Sequence, residues 1–419
     1  MNRGARAPRP TGDPHRLGSA VLGVATALVA VLALITATWG PASVSRALAG
    51  GPSVPSAPPP PPAAVVTVLA GTVPIQPGAA PVSPGAPLSV AVRHGVLQAV
   101  QVTDGKTGRQ VAGTLSPDAA SWRNSAPLSY GDTYQVAVTA VGADGQPVQQ
   151  SSTLSTIRPA VLTAVSFRPT PSMTSVGVGQ PLVVRFNHPV TDKAAAEKAL
   201  AVTSTPAQPG GWFWMSANEA HYRAQSYWQP GSTLQLNANL FGVNLGKGAF
   251  GQENRAVTVH VHDSWVAKAD GHAKTMQIFH NGAVVKSMAI SLGSADHPSH
   301  IGPHVVSDKK PTMIMDSCTY GVCEGDPGYY KEKVDLDVRI SADGEFVHSA
   351  PWSVGQQGSS NVSHGCVNLS PANARWFFDH FNLGDVVEIT NSGGPKLPVW
   401  DTYGDWEVPW SQWQAGSAT

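Results

Sequence analysis

Cys366 stands in a sequence setting that favours nucleophilic catalysis. It follows Gly365 and is preceded by His348 at the end of a predicted strand. A histidine near a thiol can accept its proton, and the thiolate is the form that attacks carbonyl carbon. Ser370 and Pro371 predict a helix that begins just after the cysteine, whose amides would help to hold a thiolate. An inert buried thiol, the usual state of a lone cysteine, would leave the residues around Cys366 without a role.

Three further histidines raise the question of a metal site. His297, His300 and His304 lie in a segment rich in proline and glycine. Zinc is commonly bound by histidine together with cysteine or carboxylate ligands, and no such ligand stands beside these three in the sequence. We therefore expect solvent-exposed loop histidines, no metal and no cofactor.

The elements that must position these residues are predicted to be strands. Residues 274–282 alternate apolar and polar positions and end on the turn pair Asn281-Gly282. Residues 283–293 are predicted to form a second strand, and the two strands with their turn predict a β-hairpin. The region around Cys366 is therefore expected to be rich in β-structure, with a short helix after the cysteine.

The composition excludes several classes of protein. Among 419 residues there are 42 glycines and 36 prolines, a proportion typical of β-rich chains with many turns. The 27 basic and 27 acidic residues balance, so the chain lacks the basic excess of a nucleic-acid binder. The 3 cysteines cannot supply a disulfide framework for this length. The chain is expected to fold by burial into several domains.

The N-terminal residues predict an envelope location. Residues 20–39 form an apolar run of the length that spans a bilayer, and the arginines before it favour the cytoplasmic side. We expect a membrane anchor, although residues 47–49 have the form of a signal-peptidase site, so cleavage stays an alternative. Residues 51–64 are Pro-rich and predict an extended stalk.

Two stretches of about 100 residues predict β-sandwiches. Short strands separated by turn pairs fill residues 65–159 and again residues 160–262. Residues 128–136 resemble residues 228–236 in order and type, which indicates tandem repeats. The aromatic residues of the second repeat are expected to pack in the core rather than to bind carbohydrate. Both repeats are interpreted as spacers, with binding modules as the alternative.

Residues 363–368, Ser-His-Gly-Cys-Val-Asn, with His348 before them, resemble the signature of the L,D-transpeptidases, the YkuD-type catalytic domain. Further similar segments are 313–317, 319–322, 404–406 and 409–410. Tandem immunoglobulin-like repeats behind an N-terminal segment are similar to the mycobacterial and actinobacterial members. One departure is residues 296–304, where only Pro298 and Gly302 remain of the family's Thr-Pro-x-x-Gly element.

The resemblance implies both an activity and a site. The activity would be a cysteine acyltransferase reaction that forms 3→3 peptidoglycan cross-links and releases the terminal D-alanine of a donor tetrapeptide stem. The implied catalytic residues are Cys366 as nucleophile, His348 as base, Ser349 acting through its backbone carbonyl, His364 and Gly365. The implied substrate-binding residues are Tyr330, Asp343, Gly344, Asn368 and Met315. The amides of Gly365 and Cys366, with the Tyr330 hydroxyl, would line an oxyanion hole.

The implied partners are donor and acceptor stem peptides of peptidoglycan, and carbapenem β-lactams as covalent inhibitors. No nucleic-acid partner is expected, and membrane association would come from the N-terminal segment. The protein would then lie at the outer face of the cytoplasmic membrane or in the periplasmic space, in the cell envelope.

The expected fold is mainly β, with two tandem immunoglobulin-like β-sandwiches followed by a β-rich L,D-transpeptidase catalytic domain that carries a short helix after the nucleophile. The expected divisions are an anchor or signal segment (1–50), a Pro-rich stalk (51–64), repeat 1 (65–159), repeat 2 (160–262), the catalytic domain (263–391) and a Trp-rich C-terminal extension (392–419).

Other readings stay open. A papain-like or NlpC-like peptidase would place its cysteine before its histidine, which is the reverse of the order here. An L,D-carboxypeptidase would hydrolyse the same acyl-enzyme, and a non-catalytic wall-binding protein would leave Cys366 and His348 without a role. Cys318 and Cys323 could close a disulfide that stiffens a lid over the site or remain free thiols, and the sequence favours neither.

Overall fold

Alternating burial along the strands builds the first part of the structure, a computed structural model that describes residues 58–327 and 329–419. In the seventh strand Tyr134, Val136, Val138 and Ala140 point into a core and their neighbours point outward. One sheet has the order β2-β1-β3-β6-β5 and the other β4-β7-β8. We call this unit the first sandwich; its strands are β1 (Val65–Ala70), β2 (Val73–Pro74), β3 (Leu88–Arg93), β4 (Gly95–Asp104), β5 (Gly113–Leu115), β6 (Ser121–Asn124), β7 (Thr133–Gly142) and β8 (Pro147–Ser155).

A second sandwich follows, with sheets ordered β10-β12-β15-β14, β11-β19-β16-β13 and β17-β18-β9. Trp212, Trp214 and Trp228 are buried in its core, which confirms that these aromatic residues serve packing. Its elements are β9 (Val161–Thr163), β10 (Val165–Arg168), β11 (Ser175–Val176), β12 (Leu182–Phe186), α1 (Lys193–Ala199), β13 (Leu200–Thr205), β14 (Gly210–Trp214), β15 (Glu219–Ala224), β16 (Thr233–Asn239), β17 (Asn244–Gly246), β18 (Ala249–Gly251) and β19 (Asn254–Val261).

The region that contains Cys366 consists of two sheets, ordered β22-β21-β20-β28-β23 and β24-β25-β26-β27. The predicted hairpin is present as β21 and β22, with Asn281 and Gly282 at positive φ in its turn. Its elements are β20 (Trp265–Asp270), β21 (Thr275–His280), β22 (Ala283–Ala289), β23 (Gly302–Val305), β24 (Asp308–Asp316), β25 (Lys331–Arg339), β26 (Phe346–Ser349), β27 (Val367–Leu369), α2 (Pro371–His380) and β28 (Val386–Thr390).

Helix α2 begins where the sequence predicts a cap. The Ser370 hydroxyl accepts a hydrogen bond from the amide of Asn373, and Pro371 occupies the first turn. Strand β27 lies between Cys366 and this helix. The helix is therefore present as predicted, but it does not begin directly at the cysteine.

The C-terminal segment, which we define as residues 405–419 and which contains α3 (Trp410–Ala415), packs against the second sandwich. The Trp413 ring is fully buried, stacks on Phe213 at 4.9 Å between centroids and donates a hydrogen bond from Nε1 to the Gly211 carbonyl. The Arg223 guanidinium lies 4.3 Å from the centre of the Trp413 ring, a cation–π contact. These contacts join the end of the chain to the second sandwich.

The two sandwiches also contact each other. The Tyr130 hydroxyl of the first accepts a hydrogen bond from the Gly242 amide and donates one to the Gly251 carbonyl. The Tyr130 ring packs at 5.0 Å from that of Phe241. Residues 60–419 form one compact unit.

The predicted anchor or signal segment, residues 1–50, and the first residues of the predicted stalk lie outside the described residues. Within the described part, the structure contains no helix that is long and apolar enough to cross a membrane. The domain limits proposed from the sequence stay predictions.

Replacement of Trp413 by alanine is expected to lower the free energy of unfolding by about 3–5 kcal/mol, because it empties a buried ring site. The measurement is the midpoint of urea unfolding followed by tryptophan fluorescence. Trp400→Ala is the matched control, since Trp400 is 76% exposed and its loss should change stability by less than about 0.5 kcal/mol. Equal effects of the two substitutions would contradict the packing role of Trp413.

Candidate active site

Cys366 lies at the end of a tight turn formed by residues 363–366. Gly365 has φ +118°, a conformation that favours glycine. The Ser363 hydroxyl donates a hydrogen bond to the Cys366 carbonyl at 2.6 Å and accepts one from the Gly365 amide at 3.2 Å. The turn leads into β27 and presents the thiol, whose Sγ lies 3.6 Å from the Gly344 carbonyl oxygen.

His348 is carried by β26, which pairs in parallel with β27, so that it lies opposite Asn368. Its Nδ1 is 3.0 Å from the Ser349 carbonyl oxygen. A carbonyl only accepts hydrogen bonds, so Nδ1 must carry the proton and Nε2 of the neutral ring is left as an acceptor. This geometry is what the proposed role of Ser349 requires, because the carbonyl and not the hydroxyl holds the ring.

Two neighbouring cavities bring most of the predicted site residues together. A cavity of about 160 Å³ is lined by Cys366, His348, His364 and Asn368. A second, of about 250 Å³, is lined by Asp343 and Gly344. Met315 and Tyr330 line both cavities. Ser349 and Gly365 line neither cavity.

Cys318 and Cys323 form a disulfide, which resolves the alternative that the sequence left open. The bridge closes the segment that follows β24 beside the second cavity. The Ser317 hydroxyl in the same segment accepts a hydrogen bond from the Tyr330 amide at 3.0 Å and donates one to the Val322 carbonyl. The disulfide loop is thus joined to Tyr330, one of the two residues that line both cavities.

The expectation of exposed loop histidines was wrong for two of the three. His304 is fully buried and its Nε2 lies 3.0 Å from Glu345 Oε2. His300 donates its backbone amide to Glu345 Oε1 at 2.8 Å, and its Nδ1 lies 3.1 Å from the same oxygen. His297 instead lies beside His364, at 4.9 Å between ring centroids.

Glu345 was missed at the sequence level, because its histidine partners are more than 40 residues away along the chain. The sequence signal for Glu345 was its position directly before the strand that carries His348. Among residues 58–327 and 329–419, no group of three or more His, Cys, Asp or Glu side chains is arranged to hold a metal ion.

Residues 264–389 match the L,D-transpeptidase catalytic domain family and residues 79–244 match a bacterial Ig domain. L,D-transpeptidase 2 of Mycobacterium tuberculosis (strain CDC 1551 / Oshkosh) is 43% identical over 333 residues, which cover 80% of this chain and 81% of that protein. The chain belongs to the L,D-transpeptidase family. L,D-transpeptidase 5 of M. tuberculosis (strain H37Rv) is 34% identical over 340 residues, 80% of this chain and 73% of its own. A solved L,D-transpeptidase in complex with imipenem is 34% identical, with a TM-score of 0.48, and covers 55% of this chain and 100% of its own.

The fold class predicted from the sequence is confirmed: immunoglobulin-like sandwiches precede an L,D-transpeptidase catalytic domain, and the chain is mostly β-structure. The Ig-domain match extends over strands of both sandwiches. The family is that of cysteine-dependent transpeptidases, as the sequence resemblance implied.

Burial sets the protonation of the L,D-transpeptidase site. Burial raises the pKa of the Cys366 thiol to about 12, and the negative charge of Glu345 also raises this pKa. A hydrogen bond from the Phe346 amide acts in the opposite direction and lowers the pKa. Burial also lowers the pKa of His348 to about 4, against the hydrogen bond to Ser349. Both groups are therefore neutral at pH 7. The expectation of a resting thiolate held by helix amides was wrong, because β27 separates Cys366 from α2 and the thiol is buried.

Alkylation of Cys366 by iodoacetamide is expected to be at least about tenfold slower at pH 7 than alkylation of free cysteine, because only the thiolate reacts. With a pKa of about 12, the rate should rise about tenfold per pH unit up to at least pH 9. Mass spectrometry of the Cys366 peptide measures the rate, and glutathione is the control. A plateau of the rate between pH 5 and 8 would instead indicate a resting ion pair with His348.

Proposed function

We propose that this chain is a cysteine acyltransferase that forms 3→3 cross-links between peptidoglycan stem peptides. The observation that carries the proposal is the parallel pairing of β26 and β27, which places His348 and Cys366 on the wall of one cavity. Membership in the L,D-transpeptidase family supports the same reaction. The proposed catalytic residues are Cys366, His348, Ser349, His364 and Gly365.

The first half-reaction acylates the enzyme. His348 Nε2 takes the thiol proton while Sγ attacks the carbonyl carbon between the third stem residue and the terminal D-alanine of a donor tetrapeptide. The resulting oxyanion collapses, the amide C–N bond breaks, and His348 returns the proton to the leaving amine. The products are a thioester on Cys366 and free D-alanine. Starting from two neutral groups, the proton moves only when the substrate carbonyl is in place.

The second half-reaction transfers the acyl group. The side-chain amine of a diamino acid in an acceptor stem gives a proton to His348 as it attacks the thioester carbonyl. The C–S bond breaks, and the thiolate that leaves takes the proton back from the imidazolium. The product is an amide bond between the two third residues, and the enzyme returns to its neutral state. Resolution by water in place of the amine would give the L,D-carboxypeptidase reaction.

Substrate placement is proposed for the residues that line the two cavities. Tyr330 and Met315 contribute to both, so a donor stem that passes from one cavity to the other crosses them. Asp343 and Gly344 border the second cavity, and Asn368 is fixed beside His348 by a hydrogen bond from its Nδ2 to the Ser353 hydroxyl at 3.0 Å. The Cys366 amide is proposed to face the developing oxyanion; the Gly365 amide already donates to Ser363.

The proposed location is the cell envelope, where the peptidoglycan stems are. Membrane association through residues 1–50 belongs to this proposal, as does covalent inhibition by carbapenems, which fits the imipenem complex of the solved relative. The two sandwiches are proposed to act as spacers between the membrane and the wall.

Cys366→Ala is expected to abolish cross-linking of purified disaccharide tetrapeptides, since Cys366 supplies the one thiol among the residues that line the cavity of His348. Cys366→Ser should retain at most a small percentage, because a serine hydroxyl does not ionise at this site. Chromatography with mass spectrometry separates cross-linked dimers from hydrolysed tripeptides. Substantial dimer formation by the alanine variant would overturn the assignment, whereas tripeptide without dimer from the native protein would favour the carboxypeptidase.

His348→Ala is expected to lower the rate of acylation about a hundredfold or more, because the buried thiol then has no base. Ser349→Ala should change it by less than about threefold, since the backbone carbonyl that holds the imidazole remains. The rate is measured by mass spectrometry of the acyl-enzyme formed with a carbapenem. Comparable losses in the two variants would show that the Ser349 hydroxyl, and not its carbonyl, is required.

A further inference from the structure

Glu345 is a buried carboxylate that the proposed reaction does not use. Its residue is 5% exposed, and both oxygens are hydrogen-bonded. Oε1 accepts from the backbone amide of His300 and faces its Nδ1, and Oε2 faces Nε2 of His304. Burial alone would raise the pKa of Glu345, but the two histidines outweigh it and hold the pKa below its usual value. The side chain is therefore an anion in the interior.

The hydrogen bonds of His304 require a charged ring. Its Nδ1 lies 3.0 Å from the Gly302 carbonyl oxygen and its Nε2 lies 3.0 Å from the Glu345 carboxylate. Both neighbours are acceptors, so each ring nitrogen must carry a proton. His304 and Glu345 thus form a buried ion pair. Such a pair costs desolvation, and in some proteins a buried pair of this kind fixes one conformation.

This pair lies against the turn that carries the proposed nucleophile. A Cβ built on Gly365 would be 3.5 Å from Glu345 Cγ and from Oε1, an ordinary van der Waals distance, so the Glu345 side chain lies directly beside Gly365. Gly344, next to Glu345, supplies the carbonyl that Cys366 Sγ contacts. Glu345 therefore touches the turn from the side of β26.

The residue before His300 holds the same turn from another side. The Ser299 hydroxyl donates to the Gly365 carbonyl at 2.6 Å and accepts from the Gly293 amide at 3.0 Å. The Gly365 carbonyl and the Cys366 N–H belong to one planar peptide unit. Fixing the direction of the carbonyl therefore fixes the direction of the N–H that is proposed to face the oxyanion.

Other charged groups surround this pair. Asp343 lies 3.6 Å from His300 Nδ1, and Asp401 holds the backbone amides of Ala342 and Asp343. Neither Asp343 nor Asp401 forms a hydrogen bond with a carboxylate oxygen of Glu345. The two histidines are thus the side chains that link Glu345 to the loop of residues 293–304.

We propose that Glu345 is a positioning residue of this transpeptidase: clamped by His300 and His304, it holds the loop of residues 293–304 against Gly365 and so aims the Cys366 amide at the substrate carbonyl. The inference rests on the proposed function of Cys366. It gives a role to the histidines that stand where the family pattern is broken, and that role is mechanical and electrostatic rather than metal binding.

The test compares two reactions of Cys366 in the full-length protein. Acylation by a carbapenem needs an oriented oxyanion donor, whereas alkylation by iodoacetamide does not. Glu345→Ala should lower the rate of acylation about tenfold to a hundredfold, the loss expected for misplacement of a catalytic group. Alkylation at pH 8.5 should stay within about threefold or become faster, because the loss of a nearby negative charge favours the thiolate.

Glu345→Gln is the conservative rescue. Its amide oxygen can accept from the His300 amide, and its NH₂ can donate to Nε2 of a neutral His304, so the clamp remains. Acylation should then stay within about threefold of the native rate. Glu253→Ala, an exposed glutamate of the second sandwich, is the matched control and should change neither reaction. Equal acylation rates in the alanine and native proteins would overturn the proposal, as would equal losses of acylation and alkylation.

Ser299→Ala supplies a second variant that removes no buried charge, in case Glu345→Ala does not fold. It should lower acylation in the same range, and the effects of the two substitutions should not add in the double variant. Additive effects would contradict a shared clamp.

Hydrogen exchange separates this inference from the proposed function, because it needs no acylation. Peptides that cover residues 363–368 should exchange at least about tenfold faster in Glu345→Ala and at the native rate in Glu345→Gln. Absence of acylation in the native protein would refute the proposed function alone. Unchanged exchange in Glu345→Ala would refute the positioning role, whatever the activity.

Discussion

The parallel pairing of β26 with β27 is the contact on which the rest of the site depends. Parallel neighbours cannot be joined by a tight turn, so the chain must leave the sheet after Ser349 and return before Val367. The returning chain enters β27 through the turn of residues 363–366, which therefore lies beside the start of β26. The register of this pairing then decides the chemistry. His348 lies opposite Asn368, and Cys366 comes two residues before Asn368, at the end of the turn. A shift by one residue would turn His348 to the other face.

Burial gives this arrangement its chemical character. A thiol with a pKa of about 12 beside an imidazole with a pKa of about 4 has almost no tendency to form an ion pair at neutral pH. Proton transfer is then favoured only when the oxyanion and the imidazolium develop together, because each stabilises the other. Such a site discriminates against small soft electrophiles, which need a free thiolate, and favours acyl substrates that bring a carbonyl into the cavity. Low intrinsic reactivity also protects the cysteine from oxidation, which follows thiolate character and exposure.

The sequence predicted what depends on neighbours along the chain. The motif around Cys366, the Ser370 cap of α2 and the Asn281-Gly282 hairpin are local patterns, and each is present. The protonation of Cys366 was predicted wrongly, because burial is a property of the folded sheets and not of the motif. Glu345 with His300 and His304 was also missed, since their contacts join segments distant in sequence. Histidines in a Pro- and Gly-rich loop look exposed until the partner that buries them is known.

The contacts of Glu197 have a consequence for the order of folding. This residue lies within α1 of the second sandwich, is buried, and accepts hydrogen bonds from Trp214 Nε1 and from the backbone amide of Ala418. The Ser417 hydroxyl, which donates to the same carboxylate, lies 220 positions further along the chain. During synthesis the second sandwich therefore emerges long before its last hydrogen-bond donors. The sandwich is therefore completed only after the catalytic sheets between Glu197 and Ser417 have been synthesised, and closing so long a loop carries an entropic cost. Completion of the second sandwich is in this way tied to synthesis of the catalytic domain.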